Sequence, residues 1–297
     1  MTDASILRVS QKKRPPQRVL PGFGLTLGLS VTYLSLLILL PLASLVFFSM
    51  RLSFADFWHI VLDRRVLAAF RVSFASAALA ATIDAFFGLI IAWVLARYSF
   101  FGKRLVDALI DLPFAIPTAV TGIALATLFS SNGLVGGQLA AFSTAFNARF
   151  GTEISLEVAF SSAGIVIALM FIGIPFIVRT VQPVLEELDR ESEEAATSLG
   201  ARFHHIFARV IFPAILPALL TGFALAFARG LGEYGSVIFI SSNAPYETEI
   251  VPLLIVMKLG EFNYEGASAI GVSMLLCSFL LLLLINLLQT FARRRRA

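Results

Sequence analysis

Long apolar runs alternate with short polar segments along almost the whole chain. A helix needs about 20 apolar residues to cross roughly 30 Å of hydrocarbon, and six runs approach that length. An isolated strand cannot satisfy its backbone polar groups in lipid, so each run is predicted to form a helix. The predicted spans are Leu25–Phe48, Val72–Ala96, Leu112–Ser130, Ser162–Val178, Val210 to beyond Ala228, and Ser268–Ala292. The pattern predicts an all-α, polytopic membrane protein with six transmembrane helices.

The composition excludes a water-soluble domain. Of the 297 residues, 58% are hydrophobic and only 14% are charged, whereas soluble domains carry about 25% charged residues. The first apolar run is too long for a cleavable signal peptide, and no small-residue cleavage site follows it, so it is expected to be retained. Four parts are predicted: a basic tail at 1–20, a first transmembrane helix and periplasmic loop at 21–66, a core of five transmembrane helices at 67–292, and a basic C-terminus at 293–297.

The basic residues predict the orientation of these helices. With the N-terminus inside, most of the 23 Lys and Arg residues fall on the inner side. The positive-inside rule therefore predicts that both termini are cytoplasmic. The tail at 1–20 is expected to be disordered. The net charge of +4 follows from this distribution and requires no nucleic-acid partner.

One strongly polar stretch, Glu186–Pro217, separates two apolar runs. Six of its first nine residues are acidic, and acidic residues suit the positive end of a helix. A new helix could begin near Pro183, and Gly200 is placed to end it in the left-handed conformation. An apolar stripe completes a short amphipathic helix and consists of Leu188, Ala195, Ala196 and Leu199. An ordinary solvated loop is the alternative on spacing alone.

The same stretch resembles the EAA loop of ABC-importer permeases. The resemblance is carried by Glu194-Ala195-Ala196, by Gly200 and by Pro213. Val210-Ile211-Phe212-Pro213 departs from the usual Ile-x-Leu-Pro ending but keeps its apolar bulk. The resemblance implies the type I ABC-importer permease fold, with a cytoplasmic coupling helix that docks into a separate ATPase subunit. The residues expected at this coupling surface are Glu194, Ala195, Ala196, Leu199, Gly200 and Pro213.

Three further runs resemble the T-type permease subunit of sulfate/thiosulfate importers. They are 176–185, 233–241 and 248–255, and the similarity extends over about 19–291. Molybdate permeases are close relatives with a similar Leu-Gly-Glu run, but Tyr234 and Ser236, together with Glu249-Ile250-x-Pro252, favour the sulfate branch. Molybdate or another oxyanion remains the alternative substrate.

This resemblance also implies an assembly in the bacterial inner membrane. The expected partners are the lipid bilayer, a second similar permease, two copies of a cytoplasmic ABC ATPase and a periplasmic sulfate-binding protein. No cofactor is expected in this chain, because the resemblance places ATP and Mg²⁺ on the ATPase. The chain contains no Gly-x-x-x-x-Gly-Lys-Ser/Thr phosphate loop and no recognisable catalytic set. It is therefore not expected to be an enzyme by itself.

Ionisable residues at membrane depth are costly and usually face a pore or a partner. Arg229 and Glu233 are four residues apart and can pair on one helix face. Glycines at positions 230, 232 and 235 allow close helix approach or a break in the helix. A structural ion pair and a pathway wall or gate are both open interpretations. Asp84 has no partner recognisable from the sequence.

The third predicted span carries two prolines and two hydroxyls. Pro113 and Pro117 remove backbone donors, so a kink is expected there. Thr118 and Thr121 could contribute hydroxyl groups to a polar pathway. The complete set of pathway or gate candidates is Pro113, Pro117, Thr118, Thr121, Arg229, Glu233, Tyr234 and Ser236.

Other interpretations of the chain stay open. A secondary transporter would need ion-coupling carboxylates within the spans, where only Asp84 and Glu233 qualify, and no inverted repeat is evident. No metal site is expected, because the single Cys and three His residues show no metal-ligand spacing. Two outer loops, 132–161 and 241–266, could receive a binding protein or serve as connectors. The first is expected to hold a short helix near Leu139–Phe146.

Overall fold

The computed structural model describes residues 23–151 and 156–294, in which helices are joined by turns and loops and no strand occurs. The predicted tail at 1–20 lies outside the described residues, as does most of the C-terminus at 293–297. The helices are α1 Phe23–Ser49, α2 Phe54–Val61, α3 Arg64–Arg97, α4 Lys103–Ile110, α5 Leu112–Ala115, α6 Thr118–Phe129, α7 Gly136–Phe150, α8 Ser162–Glu187, α9 Arg190–Ser198, α10 Phe203–Ile206, α11 Phe212–Leu231, α12 Val237–Ile240, α13 Val251–Gly260 and α14 Tyr264–Arg294. A π-helical segment, Phe207–Ile211, joins α10 to α11.

Five helical segments within the described residues are long and apolar enough to cross a membrane: Phe23–Ser49, Arg64–Arg97, Ser162–Glu187, Phe203–Leu231 and Tyr264–Leu287. Two shorter apolar helices, α6 and α13, accompany them. The prediction of an all-α polytopic membrane protein is confirmed.

The third predicted span, Leu112–Ser130, is not one continuous helix. Ile116 has extended backbone angles, φ −91° and ψ 133°, between α5 and α6. The proline ring that follows disfavours the helical conformation of the preceding residue, and proline has no N–H to donate to a helix. The expected kink at Pro117 is therefore a complete break.

The core of the molecule lies where α3, α8 and α11 pack together. Large aliphatic side chains at this contact are fully buried, including Leu95, Ile177 and Ile215. Small residues on α3, Ala77, Ala80 and Ala81, belong to the same cluster. Small side chains allow helices to approach closely in lipid, where packing drives association.

The chain divides into two compact units, 1–47 and 48–297. In the first unit, no residue of α1 from Phe23 to Phe47 is buried. A helix that is apolar on every face is typical of a membrane span. The second unit contains the core and every site described below.

The loop helices differ from their predicted bounds. Pro183 does not start a helix, because it lies inside α8, which continues to Glu187. The short polar helix is α9, and it begins where Asp189 Oδ1 accepts a hydrogen bond from the N–H of Glu191 at 3.1 Å. Leu188 ends α8 and does not belong to the α9 stripe. The predicted helix near Leu139–Phe146 is present as the longer α7.

Candidate functional site

The short helix α9 presents most of the predicted coupling residues on an exposed surface. Glu194 and Ala195 are exposed, and Leu199 has 89% of its surface accessible. Ala196 is half-buried and packs against the core. Gly200 follows with φ +81°, a left-handed conformation that only glycine adopts at little cost. The local sequence thus builds a helix that ends sharply and leaves an acidic and apolar surface uncovered.

A salt bridge ties α9 to the end of α3. Glu193 Oε1 accepts a hydrogen bond from Arg97 Nη2, and both side chains are largely buried, with 23% and 10% exposure. The Arg97 guanidinium also lies over the Trp93 ring, 5.5 Å from its centroid. The rings of Phe203 and Phe207 also pack against Trp93 in T-shaped contacts, with centroids 6.2 and 5.9 Å away. Sequence reasoning missed this connection, because its partners are 96 residues apart.

Pro213 does not belong to α9. It lies in the first turn of α11, which follows α9 and α10 along the chain. The preceding segment is a π turn, in which the N–H of Phe212 donates to the carbonyl of Phe207. Proline has no N–H to continue the regular ladder, and π turns occur as single-turn bulges within α-helices. Pro213 therefore shapes the helix that follows the coupling surface, rather than contributing to that surface on α9.

The predicted pair of Arg229 and Glu233 is present. Arg229 Nη1 lies 2.7 Å from Glu233 Oε2, and the Glu233 side chain is 2% exposed. Glu233 Oε1 also accepts bonds from the N–H and the hydroxyl of Ser236, each at 3.0 Å. The helix α11 has already ended at Leu231, so Glu233 holds the turn that leads into α12. Tyr234 packs against the core beside it.

The pathway candidates of the third and fifth predicted spans meet in the structure. A methyl group on Gly122 would lie 2.4 Å from the carbonyl oxygen of Ser236, so α6 packs directly on the backbone before α12. A methyl group on Gly235 would lie 2.3 Å from the Thr118 hydroxyl oxygen. Thr121 is buried at this contact, whereas Pro113 lies in α5, beyond the break at Pro117.

Asp84 is buried in the middle of α3 with 1% exposure. Neither of its carboxylate oxygens has a hydrogen-bond partner among the described residues. Its Oδ2 atom occupies the space over Gly173, where a methyl group would lie 2.0 Å away. The sequence suggested no partner for Asp84, and the structure shows none among the described residues.

Two further arginines form ionic contacts between distant parts of the chain that were not predicted. Arg179 of α8 holds α4 by binding Asp107 Oδ1 at 2.7 Å and both carboxylate oxygens of Asp111 at 2.8 and 2.7 Å. Arg65 of α3 holds the loop before α13 by binding both oxygens of Glu249 at 2.8 and 2.6 Å. Each arginine pairs with acids about 70 to 180 residues away in sequence, so no local spacing could have revealed it.

The loop 241–250 is internally braced. Thr248 Oγ1 accepts from the N–H of Ala244 at 2.9 Å, and Ser241 Oγ donates to the Thr248 carbonyl at 3.0 Å. Tyr246 adopts φ +68°, a left-handed conformation uncommon for a residue with a side chain. This loop closes one side of a cavity of about 500 Å³ against α3 and the beginning of α8.

Among the described residues, no group of three or more His, Cys, Asp or Glu side chains could hold a metal ion. Five of the carboxylates described above are each paired with an arginine, and Asp84 is buried without a partner among the described residues; the five are Asp107, Asp111, Glu193, Glu233 and Glu249. The described arrangement offers exposed docking residues, a broken helix and paired charges within an apolar bundle.

Comparison with known proteins places these features in one family. Residues 85–297 match the family model described as binding-protein-dependent transport system inner membrane component. The sulfate transport system permease protein CysT of Escherichia coli K12 is 48% identical over 94% of this chain and 96% of its own length. The protein of the same name from Synechocystis is 45% identical over 89% of this chain and 88% of its own length.

Solved structures agree with this assignment at the level of the fold. A chain of a bacterial alginate ABC transporter in complex with alginate pentasaccharide-bound periplasmic protein superposes with a TM-score of 0.70. The superposition covers 89% of this chain and 93% of that one, at 18% identity. The family match and the identity to these relatives show that this chain belongs to the binding-protein-dependent transport system inner membrane components, the permease subunits of ABC importers.

Proposed function

We propose that the chain is the permease subunit of an ATP-driven importer of sulfate and thiosulfate. The observation that carries this proposal is the 48% identity, over 94% of the chain, to a sulfate transport system permease. A divalent anion cannot cross hydrocarbon unaided, because transfer of an unpaired charge costs tens of kcal/mol. The permease supplies a hydrated path that it shares with a second, similar permease.

The helix α9 couples this path to ATP hydrolysis in the partner ATPase. Glu194, Ala195 and Leu199 are exposed and form the surface that enters a cleft on that subunit. Two ATPase copies bind ATP and Mg²⁺, and their closure draws the two α9 helices together. The path alternates between an inward-open and an outward-open state. The bound nucleotide and the sulfate-binding protein shift the populations of these two states.

The path runs past the contact between α6 and the turn before α12. There the break at Pro117 and the turn after Leu231 leave backbone groups outside regular helices. Irregular backbone at membrane depth is tolerated where it lines a water-filled cavity. Thr118, Thr121 and Ser236 supply hydroxyl groups at the same contact.

The proposed location is the bacterial inner membrane, with both termini cytoplasmic. This orientation puts α9 on the cytoplasmic side, where the ATPase operates. It puts the beginning of α8 and the loop 241–250 on the periplasmic side, where a sulfate-binding protein delivers its anion.

Uptake of radiolabelled sulfate tests the substrate directly. Cells lacking this chain are compared with cells in which it is restored, with thiosulfate and molybdate as competitors. We expect restoration of the chain to restore sulfate uptake. Thiosulfate should block this uptake, whereas trace molybdate should not. Molybdate accumulation without sulfate uptake would be consistent with an ABC importer but would contradict sulfate as its substrate.

Glu194→Ala tests the coupling role of α9. Sulfate uptake is expected to fall at least about tenfold, because a charge-assisted contact to the ATPase contributes roughly 1.5–3 kcal/mol. The amount of chain in the membrane should not change, since Glu194 is exposed. Glu187→Ala, an exposed carboxylate at the end of α8, is the matched control and should transport normally. Normal uptake by Glu194→Ala would contradict the coupling role.

A further inference from the structure

The cavity beside the loop 241–250 collects hydrogen-bond donors at one end of the helix bundle. It holds about 500 Å³ and is lined by Arg71, Ser76, Ser162, Tyr246 and Glu247, together with apolar residues of α3. This volume admits a hydrated oxyanion. The whole cavity lies within the unit 48–297.

Two of the lining side chains have no partner among the described residues. Ser76 is only 7% exposed, and its hydroxyl has no hydrogen-bond partner among the described residues. Because Ser76 lines the cavity, its hydroxyl is available to a group bound inside it. Arg71 likewise has no ion pair within the described part of the chain, in contrast to Arg65, which binds Glu249.

A helix N-terminus completes the donor set. The helix α8 begins at Ser162 without a side-chain cap, since the hydroxyl of Ser161 donates to the carbonyl of Val158 instead. The first N–H groups of a helix have no partner within the helix, and the helix dipole is positive at this end. These groups favour an anion.

Glu247 is the one lining carboxylate, and it opposes an anion. Its presence keeps the site weak, and a transit site must release its ion as well as bind it. From the donor set and this opposing charge, we infer that the cavity is an oxyanion subsite on the import path, where Arg71, Ser76 and the beginning of α8 receive sulfate. This inference rests on the proposed function.

Protection of an introduced cysteine tests the subsite in the complete transporter. Cys277 is first replaced by serine, and Ala75, which lines the cavity, is changed to cysteine. Sulfate is expected to slow modification of this cysteine by an anionic thiosulfonate reagent, whereas chloride at equal ionic strength is not. No protection by sulfate would overturn the subsite.

Variants assign the protection to the named residues. Arg71→Gln should raise the sulfate concentration needed for protection at least about tenfold, because it removes a charge-assisted bond. Ser76→Ala should raise it about threefold, and Glu247→Gln should lower it. Arg64→Gln, an exposed arginine one heptad before Arg71 and outside the cavity lining, is the matched control. Equal protection in the control and in whichever of Arg71→Gln and Ser76→Ala assemble would overturn the assignment.

Sulfate uptake by the same cells separates the two proposals. Uptake without protection means that the chain carries sulfate and the subsite is wrong. Absence of uptake from cells that contain the assembled complex contradicts the proposed function, and the subsite falls with it.

Discussion

Glu233 performs two tasks with its two carboxylate oxygens. One oxygen pairs with Arg229, and the other accepts both donors of Ser236. A buried carboxylate that carries its charge is normally paired and hydrogen-bonded in this way. The residue therefore fixes the turn between α11 and α12, whatever else it contributes to transport.

Glu233→Gln separates these tasks. The amide oxygen still accepts from Ser236, but the charge pair with Arg229 is lost, and uptake of sulfate is expected to fall about tenfold. Glu233→Ala removes both contacts and should also lower the melting temperature of the purified complex. If Glu233→Gln transports normally and only melts earlier, the pair is structural and does not belong to the pathway.

At the scale of elements, the contact between α6 and the chain before α12 depends on Gly122. Alanine usually favours a helix over glycine by about 1 kcal/mol. At this position the added methyl group would lie 2.4 Å from the Ser236 backbone. Alanine is therefore expected to destabilise the protein here, although it usually stabilises a helix. The backbone of Ser236 is held by Glu233 and cannot easily move away.

Gly122→Ala is expected to lower the melting temperature and to impair uptake, because α6 must move off the turn that it packs against. Gly230→Ala is the control, since a methyl group there would lie at an ordinary 3.4 Å from the Ala77 methyl. Both properties are measured on the same purified complexes. Equal behaviour of the two variants would contradict the close packing of α6.

The end of α9 depends on backbone conformation rather than on space. Nothing lies within 4 Å of a methyl group on Gly200, but the residue has φ +81°. Gly200→Val should cost about 1–2 kcal/mol locally and lower uptake, because a β-branched residue avoids the left-handed region. Gly200→Asn tolerates this region and should retain most of the uptake. A similar loss in both variants would indicate a clash with the ATPase instead.

At the scale of the whole molecule, the salt bridge of Arg97 and Glu193 joins the coupling surface to the core. Arg97 ends α3, the helix that packs along α8 and α11. The helix α9 is thus connected to the bundle in two ways, through the polypeptide backbone and through this salt bridge.

Charge reversal tests this connection. Arg97→Glu and Glu193→Arg are each expected to lower the sulfate transported per ATP hydrolysed about fivefold or more, because each places like charges together. The double variant should recover a large part of the loss. Failure of the double variant to recover, with all three proteins present in the membrane, would show that the two residues act separately.

The sequence predicted the fold well, because apolar runs of span length leave few alternatives in lipid. It also predicted the pair of Arg229 and Glu233, although Glu233 lies in the turn after α11 and not on the helix itself. The break at Pro117 was underestimated, since a proline can kink a helix or end it, and packing decides between these outcomes. The contacts of Arg97, Arg179 and Arg65 depend on tertiary packing that no local pattern encodes.

The segment from Phe203 to Leu231 spans 29 residues, including its π turn. At 1.5 Å per residue this is a rod about 43 Å long, and tilting it by about 5° displaces its far end by about 4 Å. One end follows α9, and the other ends at the turn held by Glu233. A small rotation of the segment at the coupling surface would therefore displace its opposite end by about the size of an anion.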